Sequence, residues 1–335
     1  RRHGHSDEAG AGSFLMEKAP FLTELAHAPV GSCAYWIKTS DGVRLRVGHF
    51  PSEKAKGTVL LFPGRTEYIE KYGKTAADLA AAGYTTLAVD WRGQGLADRL
   101  LEDPMPGHVH QFSDYQLDVE AVLAAAEELD LPRPYHLLAH SMGGCIGLRS
   151  LINGLPVNSA VFSGPMWGIP LTTPMRSAAW LLSWGGKQLG LGHLSVPGSR
   201  GESYVLAADF EDNLLTTDRE MFDLMRSQLT ANPDLELGGP SLRWLNEALQ
   251  ECRELAAQDS PDIPCLTLLG TNERIVDVPR IESRMAKWPN GELVRVTDGE
   301  HEVLMDSPDT RVALTKRMVA HYDAHQDAQR LAASG

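Results

Sequence analysis

Four cysteines in 335 residues are too few for a disulfide scaffold of this length, and Cys33, Cys145, Cys252 and Cys265 show no paired metal-ligand spacing. Cys145 and Cys265 fall in segments that read as buried, so free core thiols in a reducing, cytoplasmic compartment are expected. Positive charge is also scarce. Thirty-one Lys and Arg face 44 Asp and Glu, a net charge of -13 with no basic run. This excludes a nucleic-acid partner and docking on anionic lipid by charge alone, so any membrane-surface contact must be local and apolar. No uninterrupted apolar run approaches the roughly 18 residues of a membrane span. The nearest, Met175 to Leu191, is broken by Arg176, Lys187 and glycines. Arg1 to Ser13 is polar, lacks a signal-peptide core and is expected to be disordered; a chain beginning without Met leaves a trimmed export signal open.

What is present is informative. The apolar run His136-Leu137-Leu138-Ala139-His140 ends at Ser141, followed by Met142-Gly143-Gly144-Cys145 and a helix-like pattern. A strand that turns sharply into a helix at a serine needs small residues two before and two after it, and Ala139 and Gly143 meet that need. The usual pattern has glycine at both positions, so Ala139 adds one methyl group. The competing reading of Ser141 as a helix N-cap is weakened by its surroundings.

Upstream, Thr58 to Phe62 reads as a buried strand running into Pro63-Gly64-Arg65-Thr66-Glu67-Tyr68, a loop of the kind that supplies an oxyanion-hole amide. Downstream, the apolar strand Cys265 to Leu269 leads to Glu273 and Asp277, and Asp298-Gly299-Glu300-His301-Glu302 follows the strand Leu293 to Val296. The order nucleophile, acid, histidine is that of α/β-hydrolases rather than of chymotrypsin-like or subtilisin-like proteases.

Strands are predicted at Tyr35 to Lys38 and Val43 to Phe50 around an Asp41-Gly42 hairpin turn, then at Thr58 to Phe62, Thr85 to Val89, Tyr135 to Ala139, Ser159 to Ser163, Cys265 to Leu269 and Leu293 to Val296. Helices are predicted at Lys71 to Ala82, Tyr115 to Leu129, Met142 to Ile152, Pro279 to Trp288 and Pro308 to His321. Such alternation implies a mostly parallel central sheet with helices on both faces, an α/β-hydrolase fold. About a hundred residues separate Ser163 from Cys265, far more than a crossover needs. The expected organisation is therefore a tail at 1–13, core at 14–164, a helical cap insertion at 165–245, core again at 246–325 and a tail at 326–335. Met166, Trp167, Trp180, Leu181 and Leu182 are expected to line an apolar cap pocket or to form the cap's own small core.

A serine hydroxyl needs a base within hydrogen-bond reach, and His301 is the candidate. The third member must hold the imidazole's other nitrogen; Glu273 is favoured, with Asp277 as rival because it also suits the N-cap of the helix starting at Pro279. The backbone amides of Arg65 and Met142 are the candidate oxyanion donors. This chemistry requires neither a metal nor an organic cofactor.

Together, Pro63 to Tyr68, Asp90-Trp91-Arg92-Gly93-Gln94-Gly95, Gly107-His108-Val109, Phe112-Ser113-Asp114-Tyr115 and Leu237-Gly238-Gly239-Pro240-Ser241-Leu242-Arg243-Trp244 resemble the bacterial lysophospholipase L2 group, a branch of the α/β-hydrolases close to monoacylglycerol lipases. The resemblance runs from about Phe50 to His321. It implies that Ser141 and His301 are nucleophile and base, that Arg65 and Met142 are at oxyanion-hole positions, and that Glu273 stands where monoacylglycerol lipases carry an aspartate. It further implies hydrolysis of an ester in a single-chain lipid, a lysophospholipid or monoacylglycerol. The expected location is cytoplasmic or peripheral at the membrane, any contact with the membrane surface being transient and through the cap. Short-chain carboxylesterase, thioesterase and peptidase activities stay open, as does an inactive hydrolase serving as a small-molecule receptor.

Overall fold

The computed structural model describes residues 16–327, so the tail expected at 1–13 and most of that at 326–335 lie outside it. Among the described residues nine strands form one sheet: β1 (Lys18–Ala19), β2 (Cys33–Lys38), β3 (Arg44–Phe50), β4 (Gly57–Phe62), β5 (Tyr84–Asp90), β6 (Tyr135–His140), β7 (Ala160–Ser163), β8 (Cys265–Gly270) and β9 (Gly291–Val296). Their order is β1-β2-β3-β5-β4-β6-β7-β8-β9. The pairs among β1, β2, β3 and β5 are antiparallel; from β5 to β9 every neighbour is parallel. The Asp41-Gly42 turn joins β2 to β3, with Gly42 at φ 87° as such a turn requires. The two-residue β1 is not among the predicted strands, because a segment so short has no periodicity to reveal it.

Alternating side chains of the buried strands enter two cores. Leu60 and Phe62 of β4 face one, with the helices Asp114–Glu128, Met142–Ile152, Leu242–Ala256 and Val278–Lys287; Val59 and Leu61 face the other, with the helices Gly73–Ala81 and Pro308–Asp323. Strands buried on both faces are therefore continuously apolar, as their sequence indicated.

The long connection from β7 to β8 contains the helices Thr173–Gln188, Arg219–Ala231 and Leu242–Ala256. The boundary expected between 245 and 246 falls inside the last of these. That helix is unbroken because Trp244, Ala248, Cys252 and Leu255 make one stripe at helical spacing and pack into the main core.

Candidate active site

β6 ends at His140, and Ser141 takes φ 51° and ψ -119° before the helix Met142–Ile152 begins. A non-glycine residue in that conformation is strained, and the surrounding packing over-determines it. A Cβ on Gly143 would lie 2.0 Å from the Phe62 carbonyl oxygen, so only glycine lets the helix start so close to β4. The Ala139 methyl that departs from the usual elbow pattern points at Gly147, where the absent side chain leaves room for it.

Three chain segments meet at this turn. His301 Nε2 lies 3.0 Å from Ser141 Oγ, and His301 Nδ1 lies 2.5 Å from Glu273 Oε1. The other oxygen of Glu273 accepts the backbone N–H groups of Arg274 and Ile275 at 3.0 and 3.2 Å. Gly164, at φ 45°, makes room for the pair: a Cβ there would stand 2.8 Å from Glu273 Oε1. Asp277 is elsewhere, capping the helix Val278–Lys287 by accepting the Arg280 N–H at 3.2 Å. Met142 opens its helix, and its N–H, like that of Arg65, donates to no acceptor among the described residues.

The loop carrying Arg65 is held from below. Gln94 donates to the carbonyls of Gly64 and Glu67 at 2.8 and 3.1 Å, and Trp91 Nε1 donates to that of Pro63 at 2.9 Å. Glu67 turns back to accept the Gly64 N–H and, at 2.6 Å, the Tyr72 hydroxyl. Lys71 bridges Glu67 to Glu302, the residue after His301. Burial alone would raise the Glu67 pKa, but Lys71, His140 and the hydrogen bonds outweigh it and hold the carboxyl at about 2. Burial pushes Glu302 upward, and Lys71 only partly offsets it.

Burial lowers His140 to about 4, so this ring is neutral at pH 7. It lies 4.7 Å from the His301 ring, and its Nδ1 is 2.8 Å from the Ser163 carbonyl, which turns it away from Ser141. Ligand atoms of Glu67, His140 and Glu302 lie within 4.8 Å of one another, but the Lys71 ammonium already supplies the cation between the two carboxylates, so the cluster is an ion-pair network rather than a metal site. Sequence reasoning missed this network. The only signals were Glu67, three residues past Gly64, and Glu302, next to His301.

The five apolar residues expected around a cap pocket divide. Met166 and Trp167 are buried, Met166 through its N–H to the Ser141 carbonyl at 2.8 Å and Trp167 between Phe162 and Trp288, so Trp167 belongs to the core beneath the elbow. Trp180 is half-buried. Leu181 and Leu182 point outward and are 70% and 47% exposed, contrary to the expected pocket lining, because the helix Thr173–Gln188 turns Ser183 and Gly186 toward Leu242–Ala256 instead.

The model of the family described as serine aminopeptidase, S33, matches residues 53–308. The chain belongs to this α/β-hydrolase family. It is 31% identical over 307 residues to a probable lysophospholipase L2 of Haemophilus influenzae, covering 89% of this chain and 92% of the relative. With the lysophospholipase L2 of Escherichia coli K12 it shares 28% identity over 303 residues, 85% of this chain and 86% of that one. Among solved structures, a monoglyceride lipase of Saccharomyces cerevisiae in complex with a substrate analog is similar at TM-score 0.68 and 20% identity, covering 87% of this chain and 95% of the other. That likeness is one of fold.

Proposed function

We propose that this protein is a serine hydrolase that cleaves the carboxylic ester of single-chain lipids, a lysophospholipid or a monoacylglycerol. The observation that carries the reading is the file of Ser141 Oγ, the His301 imidazole and the Glu273 carboxylate at 3.0 and 2.5 Å. In the proposed reaction, His301 Nε2 takes the Ser141 proton as Oγ adds to the ester carbonyl. The resulting oxyanion accepts the N–H groups of Arg65 and Met142, each contributing about 3 kcal/mol to the transition state. Collapse expels the alcohol, which takes the proton from His301 and leaves the acyl group on Ser141. Water then repeats the sequence, giving the fatty acid and free serine. Glu273, anchored by two backbone amides, fixes the imidazole tautomer and balances its transient charge.

The cap helix supports a lipid substrate. Its outward face carries Met175, Leu181, Leu182 and Trp184, and Leu189, Leu191 and Leu194 follow, all exposed. Its two cations are turned inward, Arg176 to the carbonyls of Ile169 and Leu171 and Lys187 to Glu247 at 2.7 Å. An exposed apolar face without charge fits transient insertion at a lipid surface and suits a protein of charge -13, which cannot rely on attraction to anionic head groups. Among the described residues no helix is long and apolar enough to cross a membrane.

The family's description as an aminopeptidase makes amide hydrolysis the second reading. A panel of lysophosphatidylcholine, monoacylglycerol, short-chain ester, acyl-CoA and amino-acid amide separates the two. The lipid-ester reading expects the first two to have the highest kcat/KM; faster cleavage of the amide overturns it.

A further inference from the structure

Arg65 is an unusual cation. Of the five N–H donors on a guanidinium, one is committed: Nη1 donates to the Gly238 carbonyl at 2.9 Å. The group lies 5.6 Å from the Trp244 ring centroid, and among the described residues it has no carboxylate partner. The buried arginines are paired, Arg46 with Glu70 and Asp90, and Arg92 with Asp118 and Asp41. Half-buried Arg99, Arg226 and Arg284 lack a carboxylate partner too, but each donates to at least three protein oxygens, where Arg65 donates to one. Arg65 is half-buried, and the buried part of its environment lowers its pKa to about 10.

A second orphan lies beside it. Trp244, 4% exposed, has its Nε1–H buried with no acceptor in hydrogen-bonding geometry, although the Tyr115 hydroxyl is its neighbour. The guanidinium, held between the Gly107 and Gly238 segments, thus stands over a ring whose own N–H is open. His108, next to Gly107, adds no positive charge, because burial holds it at about 4 and its Nδ1 is 2.8 Å from Ser241 Oγ. Buried polar groups in native proteins ordinarily find partners, so the open indole N–H beside a guanidinium that uses one of its donors indicates an acceptor that comes with a ligand.

The position specifies that ligand. The backbone of Gly64 packs against Ser141, where a Cβ would be 3.1 Å from that of the serine. The Arg65 side chain therefore starts beside the reacting carbonyl and carries a charge a side-chain length away. In a lysophospholipid the phosphate stands at a similar remove, one glycerol spacer from the ester. A planar fork of donors matches phosphate oxygens better than any other side chain does.

We infer that the Arg65 guanidinium, with the Trp244 indole N–H, receives the phosphate of a glycerophospholipid substrate, so that the site selects lysophospholipids over monoacylglycerols. This rests on the lipid-ester reading above. It also assigns a role to the Leu237–Trp244 segment: Gly238 orients the guanidinium and Trp244 completes the anion cradle.

The test compares 1-palmitoyl-lysophosphatidylcholine with 1-palmitoylglycerol in identical mixed micelles for the wild type, R65Q, R65K and W244F. The readout is the ratio of kcat/KM for the phospholipid to that for the neutral ester. Losing a charge-assisted contact is expected to lower this ratio about thirtyfold in R65Q, with smaller decreases in R65K and W244F, chiefly through KM. Glycerol 3-phosphate is expected to compete with the neutral ester in the wild type and at least tenfold less well in R65Q. Parallel losses on both esters, or equal competition, would show that Arg65 merely holds the cap segment and would overturn the inference. A wild type that cleaves only the neutral ester leaves the lipid-ester reading standing and removes the phosphate assignment. One that cleaves neither removes both.

Discussion

The Glu273 carboxylate meets the Nδ1 edge of His301 at 2.5 Å across 28 residues of chain, while its second oxygen is held by the amides of the next two residues. Asp277, four residues further on, spends its carboxylate on a helix N-terminus. Glu273→Gln is therefore expected to lower kcat by two to four orders of magnitude with little change in folding, the loss expected when an imidazole is held in the wrong tautomer. Asp277→Asn, which keeps a good N-cap, should leave kcat within a few fold, and Asp277→Ala should cost about 1 kcal/mol of stability. Steady-state kinetics and denaturant melts of the three variants check this; a large kcat loss confined to the Asp277 variants would reverse the assignment.

Ser141→Ala and His301→Ala should each reduce kcat by about four orders of magnitude or more, and the double variant should lose little beyond either one, because residues acting as a unit are not additive. Circular dichroism should show the fold retained in all three. Additive losses would mean that the two side chains do not act on the same step.

Much of this is legible in the chain because buried parallel strands are short apolar runs and β6 stops at His140, just before Ser141. The helix Met142–Ile152 has the predicted bounds, and the other predicted helices differ by a few residues at their ends. Choosing between Glu273 and Asp277 required the backbone path, since both follow β8 and both carry a carboxylate. The cap was hardest to read. Its apolar residues count equally well as lining, core or outer surface until the direction of Thr173–Gln188 is known, and that direction depends on the packing of Ser183 and Gly186 against another helix. The Glu67, Lys71 and Glu302 network spans 231 residues between its basic and second acidic members, so no local pattern signals it.

The outward face of the cap helix should matter only at an interface. Leu181→Ser combined with Leu182→Ser is expected to reduce hydrolysis of vesicle-borne lysophospholipid several-fold through weaker surface partitioning, while leaving hydrolysis of a dispersed short-chain ester near the wild-type rate. Vesicle co-sedimentation and paired assays measure both. Equal losses on the two substrates would mean that these leucines serve the cap's own packing.

Acid should destabilise the fold through its buried histidines. Burial holds His136 at about 3 and His140 at about 4, below the ordinary value near 6.5. Below about pH 6.5 the unfolded chain binds protons at these rings that the folded chain does not, so stability is greatest above that pH and falls as pH drops toward 4. His136→Asn, which keeps a hydrogen-bonding group beside Ser159 Oγ, should make this decline shallower by about 1.4 kcal/mol per pH unit. Urea melts between pH 7.5 and pH 4.5 would show it; an unchanged slope would mean that His136 is protonated in the folded protein.

The central claim is that an acyl group passes through Ser141. Intact-protein mass spectrometry during rapid-quench turnover of a palmitoyl ester tests it directly, preferably with the second step slowed. The account predicts a transient gain of one palmitoyl group, mapped by proteolysis to the peptide containing Ser141 and absent from Ser141→Ala. Release of palmitate without any acylated protein, or acylation at another residue, would contradict it.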